Sequence, residues 1–180
     1  MREIFFNGRI NVKTGDITEE ATDAIVNAAN WTLLGGAGVD GAIHSKGGPQ
    51  ILAECRKIRE TAFSNGLPTG MAVITSGGDL PARHVIHTVG PIYGMNQGKD
   101  AELLAACYKN SLQLAALHGL KSIAFPSVST GAFAYPKHEA ARIASAAISD
   151  AIIEIEEIEV RMVFFSVQDA RMFLKHSVFG

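Results

Sequence analysis

The stretch N-A-A-N-W-T-L-L-G-G-A-G-V-D-G-A-I-H, residues 27 to 44, decides the fold. Before it stands Asp23-Ala24-Ile25-Val26, an apolar run of strand character, and the chain then turns through Gly35, Gly36 and Gly38 before a helix begins at about Val39. Strand, glycine loop and helix in that order make a phosphate site. Glycines let backbone amides approach an anion closely, and the helix presents unpaired N–H groups and the positive end of its dipole. Asn27, Asn30, Asp40 and His44 stand around the loop with side chains able to bond hydroxyls and position a water. A loop of this kind also occurs as a plain tight connection. It matches neither the dinucleotide pattern G-x-G-x-x-G nor the Lys-Ser/Thr ending of a P-loop, so phosphate is held in neither of those ways.

Outward from this loop the chain alternates strand and helix patterns. Upstream, Ile4 to Phe6 and Ile10 to Lys13 read as strands joined at Asn7-Gly8. In Gly15-Asp16-Ile17-Thr18, Asp16 and Glu19 have the spacing of a helix cap, and the same carboxylate would equally satisfy an adenine amino group. Downstream, Gly38 to Gly47 and Pro49 to Arg59 read as helices, and Met71 to Ser76 and His84 to Val89 as strands. Asp100 to His118 carries apolar residues at helical spacing, with Asp100 as its cap and Gly119 as its stop. Ser122 to Phe125 is a short strand leading into Pro126-Ser-Val-Ser-Thr-Gly-Ala-Phe-Ala-Tyr-Pro136, a second loop between strand and helix. A helix from about Pro136, a strand over Val160 to Val167 and a helix over Asp169 to His176 close the chain. Without repeats or linkers, the economical architecture is one three-layer α/β/α domain over residues 1 to 180, with both loops at the carboxyl ends of strands, where such folds bind ligands.

A hydrophobic fraction of 47% suffices for a substantial core at this length. The 16 basic and 18 acidic residues leave a formal charge of -2 with no Lys/Arg stripe, which disfavours general nucleic-acid binding. No apolar segment approaches about 18 to 20 residues and the N-terminus lacks a signal-peptide core, so a cytoplasmic protein with no membrane partner is expected. Cys55 and Cys107 lack paired spacing and read as small buried residues. The six histidines contain no H-x-x-x-H, and neither a metal nor a cofactor is expected.

With G-D-I-T at 15 to 18, D-A-I-V-N-A-A-N at 23 to 30, L-L-G-G-A-G-V-D-G-A-I-H at 33 to 44, V-I-H-T-V-G-P at 85 to 91 and S-I-A-F-P-S-V-S-T-G-A-F-A-Y-P at 122 to 136, the chain closely resembles the macrodomain family, and within it the MacroD-type branch. The motifs run in order through almost the whole chain. The resemblance implies a mixed sheet of about six strands between helices, with an ADP-ribose cleft at its edge. It implies that Asp16 meets the adenine amino group with the Ile17 amide alongside. Gly35, Gly36, Ala37, Gly38 and Val39 clasp the diphosphate from one side, and Ser127, Ser129, Thr130, Gly131, Ala132 and Phe133 from the other. Asn30 and Asp40 then lie at the distal ribose, with Phe133 against it. Asn27 has two readings, a bracket for the loop or a ligand contact, and His44, four residues after Asp40 on one helix face, either orients Asp40 or is a satisfied histidine. His84, His87 and His118 read as structural.

Members of this branch hydrolyse the ester between ADP-ribose and an acidic side chain, and O-acetyl-ADP-ribose. The resemblance thus implies a metal-independent hydrolase with Asn30 and Asp40 at its chemistry and ADP-ribosylated proteins among its partners, and the helical spacing to Asp40 adds His44 to the candidate catalytic set. The alternative is a module that reads ADP-ribose without turnover, and the presence of both Asn30 and Asp40 favours the enzyme. Where the family usually reads G-G-G-G and G-V-F-G-Y-P, this chain has Ala37, Ala132 and Ala134. A β-carbon is tolerated there at negative φ and penalised at positive φ.

Overall fold

A computed structural model describes all 180 residues. Its strands are β1 (Arg2–Phe5), β2 (Ile10–Thr14), β3 (Ala24–Ala29), β4 (Ala72–Ser76), β5 (His84–Val89), β6 (Ser122–Phe125) and β7 (Glu159–Phe164). Its helices are α1 (Gly38–Gly47), α2 (Pro49–Thr61), α3 (Asp100–Leu117), α4 (Lys137–Glu154) and α5 (Val167–His176). All seven strands join one sheet in the order β1-β2-β7-β6-β3-β5-β4. The five inner strands are parallel, and the edges β1 and β4 pair antiparallel. The count corrects the expectation of about six strands. The largely exposed edge strand β1 brings it to seven, its hydrogen bonds supplied by β2 alone.

Period-2 alternation along the inner strands feeds two cores. In β3, Ala24 and Val26 join the core under α3, α4 and α5, whereas Ile25 joins the core under α1 and α2. In β5, Ile86 belongs to the first core and Val85 and Val89 to the second. A sheet covered on both faces needs near-continuous apolar strands. Truncating a fully buried Ile86 to Ala costs ~2–5 kcal/mol on this account. The small residues Ala140, Ala144, Ala147 and Ala151 on the buried face of α4 let that helix lie close to its neighbours. Against this apolar background, Asn27 in β3 and His87 in β5 are polar, wholly buried and register partners on adjacent strands.

Some boundaries differ from the sequence reading for local reasons. β1 stops at Phe5 because Phe6 and Asn7 take φ of 50° and 55°. Lys99, not Asp100, occupies the cap position of α3. Asp100 is the first helical residue and ties down the preceding loop, accepting from the Gly94 amide at 2.9 Å and the Asn96 side chain at 2.6 Å. α5 begins at Val167 because the Ser166 hydroxyl accepts from the Asp169 amide at 3.0 Å. No helix is long and apolar enough to cross a membrane.

Candidate active site

β3 and β6 lie side by side and parallel, so the loops leaving their carboxyl ends face each other. Between them runs a cleft made of two cavities, of about 280 Å³ and about 350 Å³, that share Gly38, Val39, Ser127 and Gly131. The first is walled by Asn30, Gly36, Ala37, Gly38, Val39 and Asp40 on one side and by Ser127, Ser129, Gly131, Ala132 and Phe133 on the other, with Gly90 at the base. The second takes in Thr130 and extends past the end of β7. Ala37 caps α1 without any side-chain acceptor, which leaves the amides of the first turn open to an anion.

Asp40 sits in that first turn and is 5% exposed. Its Oδ1 accepts from Asn27 Nδ2 at 2.8 Å, and no group in the chain donates to Oδ2, which lies beside Gly36 at the cleft wall. Asn27 Nδ2 is also 3.1 Å from His87 Nδ1, and His87 Nε2 is 2.9 Å from Thr75 Oγ1. Burial, reinforced by the neighbouring His44, pushes the His87 pKa down to about 3, so the ring is a neutral imidazole. His44 Nε2 approaches Asp40 Oδ1 to 3.4 Å from behind, without hydrogen-bond alignment. His44, Cys55 and His87 bring one ligand-type atom each within 4.8 Å of one another. Both His87 nitrogens are engaged, however, and burial, with Asp40 and Glu54 nearby, pushes the Cys55 thiol up to about 12.

Asn30 braces the glycine loop. Its Oδ1 accepts from the Thr32 amide at 2.9 Å and from the Thr32 hydroxyl, while Nδ2 donates to the Gly35 carbonyl at 3.0 Å. The loop in turn rests on α1, where a β-carbon at Gly41 would meet the Gly36 carbonyl oxygen at 2.5 Å. That contact explains the second glycine of G-V-D-G. Three of the site residues expected around this loop lie outside the cleft walls. Asn27 is 0% exposed and donates to Asp40 from beneath, so in place of the loop bracket or ligand contact expected for it the structure shows a support for Asp40. His44 lies behind Asp40 with its Nε2 unpartnered, so of its two readings the satisfied histidine is the one the structure does not show, and Gly35 lies against the His44 ring.

A match to the Macro domain family model covers residues 26–144. The chain belongs to the macrodomain family. It is 54% identical over 166 residues to a macro domain-containing protein of Cupriavidus necator, covering 91% of this chain and 94% of that one. It is 48% identical over 168 residues to the O-acetyl-ADP-ribose deacetylase of Cronobacter sakazakii, covering 93% and 91%. Among solved structures, a mutant of the Oceanobacillus iheyensis macrodomain with ADPR superposes with a TM-score of 0.92 at 45% identity, over 98% of this chain and 95% of that one.

In this macrodomain Asp16 and Ile17 follow β2 and wall neither cavity. The Asp16 carboxylate accepts from the Thr18 hydroxyl at 2.6 Å and the Thr18 amide at 2.9 Å, which holds its carboxyl below the usual range, with Lys46 beside it. It therefore caps a single 3-10 turn over Ile17–Glu19, with Thr18 and not Glu19 as the partner. Sequence reasoning missed Phe165, 90% exposed just past β7, together with Lys137, Asp169 and Met172 in the same cavity. The sequence offered no signal for them, since the strand reads through to Val167 and exposure appears only in the fold. Of the three alanines, Ala37 has φ −95° and is unstrained, but Ala134 sits at φ 58°, where a glycine would be at ease.

Proposed function

We propose that this macrodomain binds ADP-ribose and hydrolyses ADP-ribose esters, namely O-acetyl-ADP-ribose and mono-ADP-ribosylated Asp or Glu. The observation that carries the reading is Asp40: one carboxylate oxygen is held by Asn27 and the other has no donor and faces the cleft between two amide-rich loops. ADP-ribose is an extended anion with a diphosphate at its centre. The junction shared by the two cavities sits at the N-terminus of α1, which suits that diphosphate, and leaves the cavity beside Asp40 for the distal ribose. The other cavity, with Phe165 exposed at its edge, suits the adenine. The name of the Cronobacter sakazakii relative and the ADPR in the Oceanobacillus iheyensis structure support both halves of the reading.

In this mechanism Asp40 Oδ2 accepts a hydrogen bond from a water and aims its lone pair at the ester carbonyl carbon. The water oxygen forms the new bond, and the carbonyl carbon to ribose oxygen bond breaks. One water proton ends on the departing ribose hydroxyl, carried by Asp40 or a substrate phosphate oxygen, and the carboxylic acid leaves. Main-chain amides fix the diphosphate, so the ester arrives in one geometry.

The direct test is release of label from a glutamate-linked mono-ADP-ribosylated protein by chelator-treated enzyme. No release, with ADP-ribose binding intact by calorimetry, would replace the hydrolase with a reader. Calorimetry against a poly(A) oligonucleotide checks the ligand class, and tight RNA binding without an ADP-ribose signal would overturn the reading.

A further inference from the structure

The polar groups behind Asp40 form a chain with a single direction. The Thr75 hydroxyl lies 3.0 Å from the Ser76 carbonyl and 2.9 Å from His87 Nε2; the carbonyl can only accept, so the one hydroxyl hydrogen is assigned to it and toward His87 the oxygen presents lone pairs. His87 Nε2, 2.9 Å from that hydroxyl and 3.8 Å from the Cys55 sulfur, is on this assignment the nitrogen that carries the ring hydrogen, donating it to Thr75. In the neutral ring Nδ1 is then a lone pair, and Asn27 Nδ2 donates into it at 3.1 Å. The second hydrogen of that amide nitrogen goes to Asp40 Oδ1 at 2.8 Å. Asn27 Oδ1 is left buried with no partner. A flipped amide would set that oxygen against the Asp40 carboxylate at one end and against the His87 lone pair at the other, so it is excluded while the ring hydrogen stays on Nε2.

We propose that His87, keyed by the Thr75 hydroxyl, is a positioning residue that fixes the Asn27 amide so that an N–H always faces Asp40. The consequence for turnover rests on the hydrolase reading. With Oδ1 pinned, Oδ2 is the oxygen turned to the cleft, and the carboxylate keeps one rotamer through the reaction. The pairing is built into the sheet, since Asn27 and His87 are register partners on β3 and β5. The titratable groups facing the ring are Asp40 and His44 from α1 and Glu54 and Cys55 from α2, while β4 contributes the hydroxyl of Thr75.

Because a buried His87→Leu chain is at risk of misfolding, Thr75→Val is the informative variant. It keeps the shape and removes the hydroxyl, and Thr75→Ser restores it. Long-range proton–nitrogen NMR reads which ring nitrogen bears the hydrogen. Wild type and Thr75→Ser should show the Nε2–H form throughout about pH 5 to 8, and Thr75→Val a mixture with the Nδ1–H form. On the glutamate-linked substrate Thr75→Val should lose on the order of tenfold in kcat, with ADP-ribose affinity within about twofold of wild type. A wild-type ring protonated on Nδ1, a Thr75→Val ring that stays wholly Nε2–H, or a changed tautomer with wild-type kcat would each overturn the proposal. The tautomer readout is independent of turnover. An inactive wild type whose lock responds to Thr75→Val as expected would count against hydrolysis and in favour of the lock.

Discussion

At the scale of single residues, Asp40 is constrained on one side and free on the other, and that asymmetry decides how its variants behave. In Asp40→Asn the oxygen that accepts from Asn27 has to remain an oxygen, so the new amide nitrogen takes the cleft side. It then offers hydrogens where the carboxylate offered a lone pair, and a water there is held the wrong way round. Asp40→Asn is therefore expected to fall with Asp40→Ala, by on the order of 10² to 10⁴ in kcat, whether Asp40 takes the proton or orients the water. Affinity for ADP-ribose should change little in either variant. Single-turnover release beside calorimetry measures both, and an Asp40→Asn enzyme at wild-type kcat would remove the acceptor role. Asn30→Ala differs in kind. It removes the brace to Thr32 and Gly35, so it should weaken ADP-ribose binding as well as turnover.

At the scale of elements, the two loops owe their shapes to a few backbone positions, and two substitutions test this in opposite directions. Ala134 pays a left-handed φ of 58° for a β-carbon, so Ala134→Gly should stabilise the fold by about 1 kcal/mol, the steric relief outweighing the added chain entropy. A differential scan checks it, and a lower Tm would show that the β-carbon contributes packing. Gly41→Ala drives a methyl at the Gly36 carbonyl and should displace the glycine loop, weakening ADP-ribose affinity more than stability. The strand, loop and helix order and both loops were legible in the sequence because they are local, set by period and by glycine and proline. The placing of Asn27 was not. Its partner His87 lies 60 residues away, and only the β3–β5 register brings them together. Phe165 was hidden for the same reason: that it reaches the cleft depends on β7 lying next to β6, a fact of strand order that no local pattern carries. Asp100 shows the limit at the finest grain, since an acid at a helix start fits the cap and the first turn equally well.

At the scale of the whole molecule, the buried polar pair beneath the site ties stability to pH in a window that can be isolated. The folded His87 pKa lies near 3, well below its ordinary value of 6.5, with burial as the leading cause. Above about pH 6.5 neither state binds the proton and the group is silent. As pH falls through 6.5 the unfolded chain takes up a proton that the folded chain refuses, and stability declines by up to about 1.4 kcal/mol per pH unit until the folded value is reached. The carboxylates respond lower down. Burial pushes Glu20 up, but hydrogen bonds from Lys13 and Arg161 win and leave it below its ordinary 4.5, so its contribution is present above 4.5 and is lost as pH falls through its folded value. Asp16 and Asp23 have the same sign. Between about pH 6.5 and 5 His87 therefore contributes a decline that amounts to about 2 kcal/mol at pH 5, a large share of the roughly 5–15 kcal/mol typical of a domain. Urea unfolding at three pH values between 7 and 5 measures the slope. His87→Gln should start less stable at pH 7, having lost the ring's bonds to Asn27 and Thr75, and then stay flat across the window while wild type falls toward it. Parallel slopes in the two proteins would mean that the proton is taken up elsewhere and that the His87 ring is not held neutral by the fold.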